Sequence, residues 1–130
     1  MIRVNVKKQS NYPSSVKKIK DSLSKFFKDN GIVSDSEVSV AIVGKEKMQE
    51  LGKTYLNEDG KNVHNVLSFT PDEVRGEFIN PPDGILHLGE IVICYPKVVE
   101  EAKYEGVLID EKVVELCEHG ALHLMGIHHE

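Results

Sequence analysis

The chain predicts an α+β domain built on one four-stranded mixed sheet packed with four to five helices. Three observations carry this. Its 130 residues are 40% hydrophobic, which suits a single domain, 1–130, with a modest core. Strand-like and helix-like hydrophobic periods alternate along it in the order β-α-β-α-β-β-α-α. The last helical stretch is apolar on nearly every side yet ends in a cluster of histidines, which places a metal site on the C-terminal helix and the turn after it.

Taken in order, Ile2, Val4 and Val6 alternate with Arg3, Asn5 and Lys7, the pattern of a half-buried strand. A helix is predicted over 12–29. Pro13 is tolerated in a first turn, Val16, Ile19, Leu23, Phe26 and Phe27 form its apolar stripe, and Asn30-Gly31 stops it. Residues 38–43 are almost continuously apolar, as in a strand covered on both faces. Gly44 breaks that strand, and 45–56 reads as a helix with Met48, Leu51 and Tyr55 inward. A polar loop, 57–63, leads to a short strand, Val66-Leu67-Ser68-Phe69, closed by Thr70-Pro71.

From Asp72 to Asp83 the residues are charged or turn-forming, culminating in Asn80-Pro81-Pro82-Asp83-Gly84, so a loop or irregular hairpin over the sheet is expected. Residues 85–94 form the fourth strand. Gly89 within it predicts a bulge or a close backbone approach, and Glu90 is not expected to be buried without a partner. A helix over 96–105 turns Val98, Val99 and Ala102 inward and stops at Gly106. Asp110 is the predicted N-cap of the last helix, with Glu111 in its first turn. Val113, Val114, Leu116, Cys117, Gly120, Ala121 and Leu124 surround that helix, so it is expected to be buried.

No run of 18 apolar residues exists, so no transmembrane helix is expected, and the N-terminus has no signal-peptide core. Cys94 and Cys117 are isolated thiols expected as buried small hydrophobes, consistent with a reducing, cytoplasmic setting. The net charge of −5 is uneven. Residues 1–30 hold eight Lys/Arg and two Asp/Glu, and the remainder holds eight and 19. A basic segment on an acidic body offers a phosphate-binding face; a solvated lysine-rich helix face is the plainer alternative.

Four of the six histidines lie in the last segment, His-Gly-Ala-Leu-His-Leu-Met-Gly-Ile-His-His. His119 and His123, four apart, stack on one side of a helix. Gly126 can take the left-handed conformation that ends a helix, after which His129 can return to the same point. Three imidazoles there would hold a metal ion with an open fourth position. His128 competes for the third place, but His129 fits the spacing better. The pattern H-x-x-x-H-x-x-G-x-x-H has metzincin ligand spacing, with Gly120 where those proteases carry their general base, Glu.

The same segment resembles the signature of the YbeY family of rRNA maturation endoribonucleases, H-G-x-L-H-L-x-G-x-D-H. Asn65-Val66-Leu67-Ser68-Phe69 resembles that family's [DN]-V-L-S-F strand, and Leu88-Gly89-Glu90-Ile91-Val92-Ile93 its L-G-[DE]-I-x-I strand. The resemblance implies a cytoplasmic, single-domain metalloprotein, usually carrying one Zn2+. Imidazole ligands would also suit another divalent transition metal. It implies cleavage of single-stranded RNA, 3′-end processing of small-subunit rRNA and ribosome quality control, with His119, His123 and His129 as ligands. Its partners would be rRNA and the small ribosomal subunit, with no membrane, and a monomer is expected.

Two departures stand out: His128 replaces the aspartate before the third ligand, and Glu58-Asp59-Gly60-Lys61 stands where the family tends to carry an arginine. The phosphate-clamping role then falls vacant or passes to Lys61 or Arg75. His64 could reach the cleft or be an ordinary surface residue, and Ser68 could touch substrate backbone or cap a turn. His87 is expected to be structural. His128 or Glu90 could assist proton transfer, and the RNA 2′-OH can itself act as nucleophile. Three readings result: a metal-dependent RNase with the 12–29 helix and 58–64 loop on RNA backbone, a metzincin-like peptidase, and a metal-stabilised assembly factor with little catalysis.

Overall fold

The computed structural model describes residues 1–74 and 84–126. Its elements are β1 (Ile2–Lys8), α1 (Val16–Asp29), β2 (Ser36–Val43), α2 (Lys45–Leu56), β3 (Val66–Phe69), a 3₁₀ turn (Pro71–Val74), β4 (Leu86–Cys94), α3 (Tyr95–Glu105) and α4 (Ile109–Leu124). The sheet order is β1-β2-β4-β3. β1, β2 and β4 run parallel, and β3 pairs antiparallel to β4, so the expected mixed sheet is what forms. Parallel neighbours need a crossover between them, and α1 supplies it between β1 and β2.

The period-two alternation divides the core. Val4, Val38, Val40, Ile42, Ile91 and Ile93 face α1, α3 and α4, meeting Ile19, Leu23, Phe27, Val98, Val113, Cys117 and Ala121. Val43, Val92, Cys94 and Phe69 face α2 and its buried Met48. β2 is therefore covered on both sides, as its unbroken apolar run requires. Both thiols are buried and free, as expected. No helix among the described residues is long and apolar enough to cross a membrane.

Three sequence expectations are corrected. The first helix begins at Val16, not residue 12, because the Ser15 hydroxyl caps it by accepting the Lys18 N–H at 3.2 Å. Asp110 is not the N-cap of α4; Leu108 holds that position. The Asp110 carboxylate instead accepts the Ser15 N–H at 2.9 Å, satisfying one of the donors that a helix start leaves orphaned. Seven residues on, the Ser22 hydroxyl donates to Glu118 at 3.1 Å. The two contacts ascend together, so α1 and α4 lie side by side and parallel.

α4, thirdly, is not buried all round. Val113, Leu116, Cys117, Gly120 and Ala121 pack inward, while Glu111, Glu115, His119 and His123 form an exposed stripe. A helix laid on one face of a sheet leaves its far side in water, and the four-residue repeat of that stripe follows the helical period. Lys112, in its first turns, is buried between the carboxylates of Glu105 and Glu115. The predicted loop after Pro71 starts as the 3₁₀ turn; residues 75–83 lie outside the described residues.

Gly89 is both the bulge and the close approach that its position in a strand predicts. Its φ is +133°, the β2–β4 register slips beside it between Glu37 and Val38, and a Cβ there would run into the Phe69 carbonyl. A side chain would break the β3–β4 pairing at the end nearest the cavity described below.

Candidate functional site

The second half of α4 forms one wall of a cavity of about 440 Å3. His119 and His123 line it, one helical turn apart, with Gly120 between them. Ser68, Val66 and Phe69 of β3 stand opposite, the end of α2 contributes Tyr55 and Leu56, and Glu73 of the 3₁₀ turn closes one side. β3 is an edge strand, so the cavity opens along the border of the sheet rather than within it.

Gly120 explains how near the walls come. A Cβ at this position would lie 2.9 Å from Ile91 Cγ2 and 3.5 Å from the Ser68 Cβ. α4 therefore presses its backbone onto β4, and the imidazoles on either side reach past that contact into the cavity. The helix ends as its sequence predicts. Gly126 has φ +71°, and its N–H donates to the His123 carbonyl at 2.9 Å. The left-handed stop thus begins at the second histidine itself.

Glu73 was not singled out from the sequence. Its Oε1 accepts the Thr70 N–H at 2.9 Å and the Thr70 hydroxyl at 3.0 Å, and His123 Nε2 stands 3.2 Å from the same oxygen. Partial burial pushes the Glu73 carboxyl up, but the Thr70 N–H, His123 and the Thr70 hydroxyl together outweigh it and hold the group below its ordinary value. The available signal was Thr70-Pro71-Asp72-Glu73, the T-x-x-E of a capping box, obscured by its position in a stretch read as irregular loop.

Of the predicted site residues, the structure brings together His119, His123 and Ser68. Lys61 is on the exposed loop, its N–H bonded to Asp59, and is not among the cavity's lining residues. Of the two placements open to His64, the structure has it outside the cleft: its Nε2 lies 2.8 Å from Glu58 Oε1, which holds the loop before β3, and it is absent from the lining. Glu90 is exposed and lines a different cavity with Lys47 and Leu51 on the α2 side of the sheet. His87 lies beside Glu37 with its Nδ1 3.9 Å from that carboxylate, away from the site. Arg75, His128 and His129 lie outside the described residues.

Among the described residues no three His, Cys, Asp or Glu side chains form a cluster able to hold a metal ion. The described part offers two imidazoles lining one cavity, a donor pair of a kind that binds transition-metal ions and leaves places for further ligands.

A model of the Endoribonuclease YbeY family matches residues 2–130. Endoribonuclease YbeY of Stutzerimonas stutzeri is 40% identical over 95 residues, which cover 73% of this chain and 55% of that protein. For the protein of the same name from Dehalococcoides mccartyi strain BAV1, the identity is 36% over 103 residues, covering 73% and 63%. The Staphylococcus aureus protein of that name is 35% identical over 114 residues, covering 87% and 72%. The chain thus spans little more than half the length of the first of these relatives. The solution structure of TM1509 from Thermotoga maritima shares the fold, with a TM-score of 0.59 at 22% identity, covering 98% of this chain and 75% of that one.

Proposed function

The chain belongs to the Endoribonuclease YbeY family, and from that premise we propose that it is a metal-dependent endoribonuclease. It cuts single-stranded RNA, matures the 3′ end of small-subunit rRNA and serves ribosome quality control. It works in the cytoplasm as a monomer, with rRNA and the small ribosomal subunit as partners. The observation that carries the proposal is the pair His119 and His123, turned into one cavity opposite Ser68.

His119, His123 and His129 would hold one Zn2+, or another divalent transition metal. When bound, such an ion supplies Lewis-acid stabilisation for the charge that builds on a phosphodiester oxygen during cleavage. The chain's own residues do the rest. Ser68, which lines the same cavity as the histidines, would bond RNA backbone through its hydroxyl. Tyr55, backed by the buried Phe69 with ring centroids 5.0 Å apart, is the aromatic side chain of the cavity against which an unpaired base would lie. The RNA 2′-OH serves as nucleophile, so the reaction needs less from a protein base than peptide hydrolysis does.

The peptidase reading is weakened by packing as well as by sequence. Metzincin spacing puts the general base at position 120. There the closest neighbour of even a Cβ would be Ile91 at 2.9 Å, so this helix has no room for a glutamate while it sits on β4.

Purified protein incubated with single-stranded RNA and with casein, each with and without chelator, tests the proposal. RNA cleavage that is lost with chelator and in His123→Ala supports it. Casein cleavage points to the peptidase, and RNA binding without cleavage points to a metal-stabilised assembly factor.

A further inference from the structure

We propose that the hollow between α2 and the sheet is a second base site for the RNA strand, in which the Glu90 carboxylate selects cytosine over uracil. The inference rests on the RNA-cleaving reading of the histidine-lined cavity and extends it by one neighbouring nucleotide.

Continuity is the first support. The hollow has a volume of about 190 Å3, and Tyr55 and Phe69 line both it and the larger cavity that holds His119 and His123. A strand with one base against Tyr55 in the cavity therefore meets the hollow with the next. The chemistry of the lining is the second. Leu51, Val92 and Phe69 are apolar, and two charged side chains, Lys47 and Glu90, stand among them. An apolar hollow with a few polar groups is the usual composition of a site for a small organic group. A nucleotide presents the matching parts: a flat ring, a polar edge and a negative charge.

The fold sets these groups around one space. Lys47, Leu51 and Tyr55 recur every fourth residue, so one side of α2 supplies the helical wall. Glu90 is the cross-strand partner of Phe69 and lies two residues before Val92, so acid, ring and valine share the α2 side of the sheet. Lys47 Nζ is 3.6 Å from Glu50 on its own helix, both side chains largely in water. A surface pair of this kind is worth little and can give way to a phosphate. The Glu90 carboxylate repels phosphate and has only acceptors to offer, so it favours an RNA group that donates. The N4 amine of cytosine donates at the ring position where uracil carries a carbonyl acceptor.

The test uses the full chain as wild type, Glu90→Gln and Lys47→Ala, with thermal melting to confirm that all three fold alike. Binding of short single-stranded oligo(C) and oligo(U) is measured by fluorescence anisotropy with chelator present, so that no metal-dependent cleavage intervenes. Wild type should bind oligo(C) about 5- to 10-fold more tightly, the low end of what one base-edge contact gives. Glu90→Gln should bring the two affinities together, because an amide also donates to the uracil carbonyl. Lys47→Ala should weaken both by the same factor and lower the salt slope by about 0.7. With Zn2+ present, a single cytosine walked through oligo(U) should carry the cut along with it. Equal wild-type affinities, a preference for oligo(C) that survives Glu90→Gln, or a cut indifferent to the cytosine would overturn this inference alone. A wild type that neither binds nor cuts any RNA would overturn the RNA-cleaving reading together with it.

Discussion

Cys117 lies two residues before His119 on α4 and faces the core with none of its surface exposed. Burial, with a smaller contribution from Glu118, pushes its thiol up to about 12 from an ordinary 9.0. The folded state therefore prefers the neutral thiol. Below the unfolded value that preference is fully available, and it is lost as pH rises through the folded value. The unfolding free energy of wild type relative to Cys117→Ala should fall between about pH 9 and 12, with a slope approaching 1.4 kcal/mol per pH unit. Urea unfolding at stepped pH measures it, and a flat difference would refute it. Gly120, three residues later, shows the same intolerance in steric form. It is needed because Ile91 occupies the space a side chain would take, and the two histidines reach the cavity because the helix sits that low.

At the scale of elements, the helix carrying the site is tied to the first helix at both starts. The Asp110 carboxylate takes the Ser15 N–H, and Ser22 reaches Glu118 half-way along. Replacing Asp110 with Ala removes a charged acceptor and leaves an amide at the start of α1 unpaired. This should cost about 1–3 kcal/mol, read as a lower urea midpoint at unchanged m-value. An effect near zero would mean that water replaces the carboxylate at this partly buried contact. Neither helix start looks exceptional when read locally. Pro13 is the residue of that stretch that reads as a helix start, and Asp110 reads as a cap of its own helix because Asp is a common N-cap. The capping hydroxyl and the 95-residue reach of the carboxylate depend on how α1 docks against α4.

Across the whole molecule, the site sits at the β3 border while β1, with its Arg3, Lys7 and Lys8, forms the opposite border. The lysines of α1 are partly committed: Lys17 and Lys25 pair with Asp21 and Asp29 one turn on. Much of the basic N-terminal segment therefore behaves as the solvated helix face that its sequence also allowed. An ion bridging α4 and the chain's last residues would stabilise the fold as a unit. Saturating Zn2+ at about 100 times its Kd adds roughly 2.7 kcal/mol to a protein that binds it only when folded. Melting of the wild type should shift upward with Zn2+, whereas His119→Ala and His123→Ala should shift much less. Equal shifts in all three would show the ion binding elsewhere.

Whatever depends on neighbours along the chain could be read from the residues alone. The period-two and period-3.6 patterns defined four strands and the helices between them, and the His-x-x-x-His spacing with Gly126 fixed the shape of the helix end. Gly89 announced a bulge because few other residues tolerate its backbone. Which distant groups meet follows from the packing of the elements: Glu73 with His123, Ser15 with Asp110, Gly120 with Ile91. It also set His64 beside Glu58 and Glu90 on the α2 side of the sheet. Hydrophobic periodicity says which face of an element is buried, and carries no information about what that face is buried against.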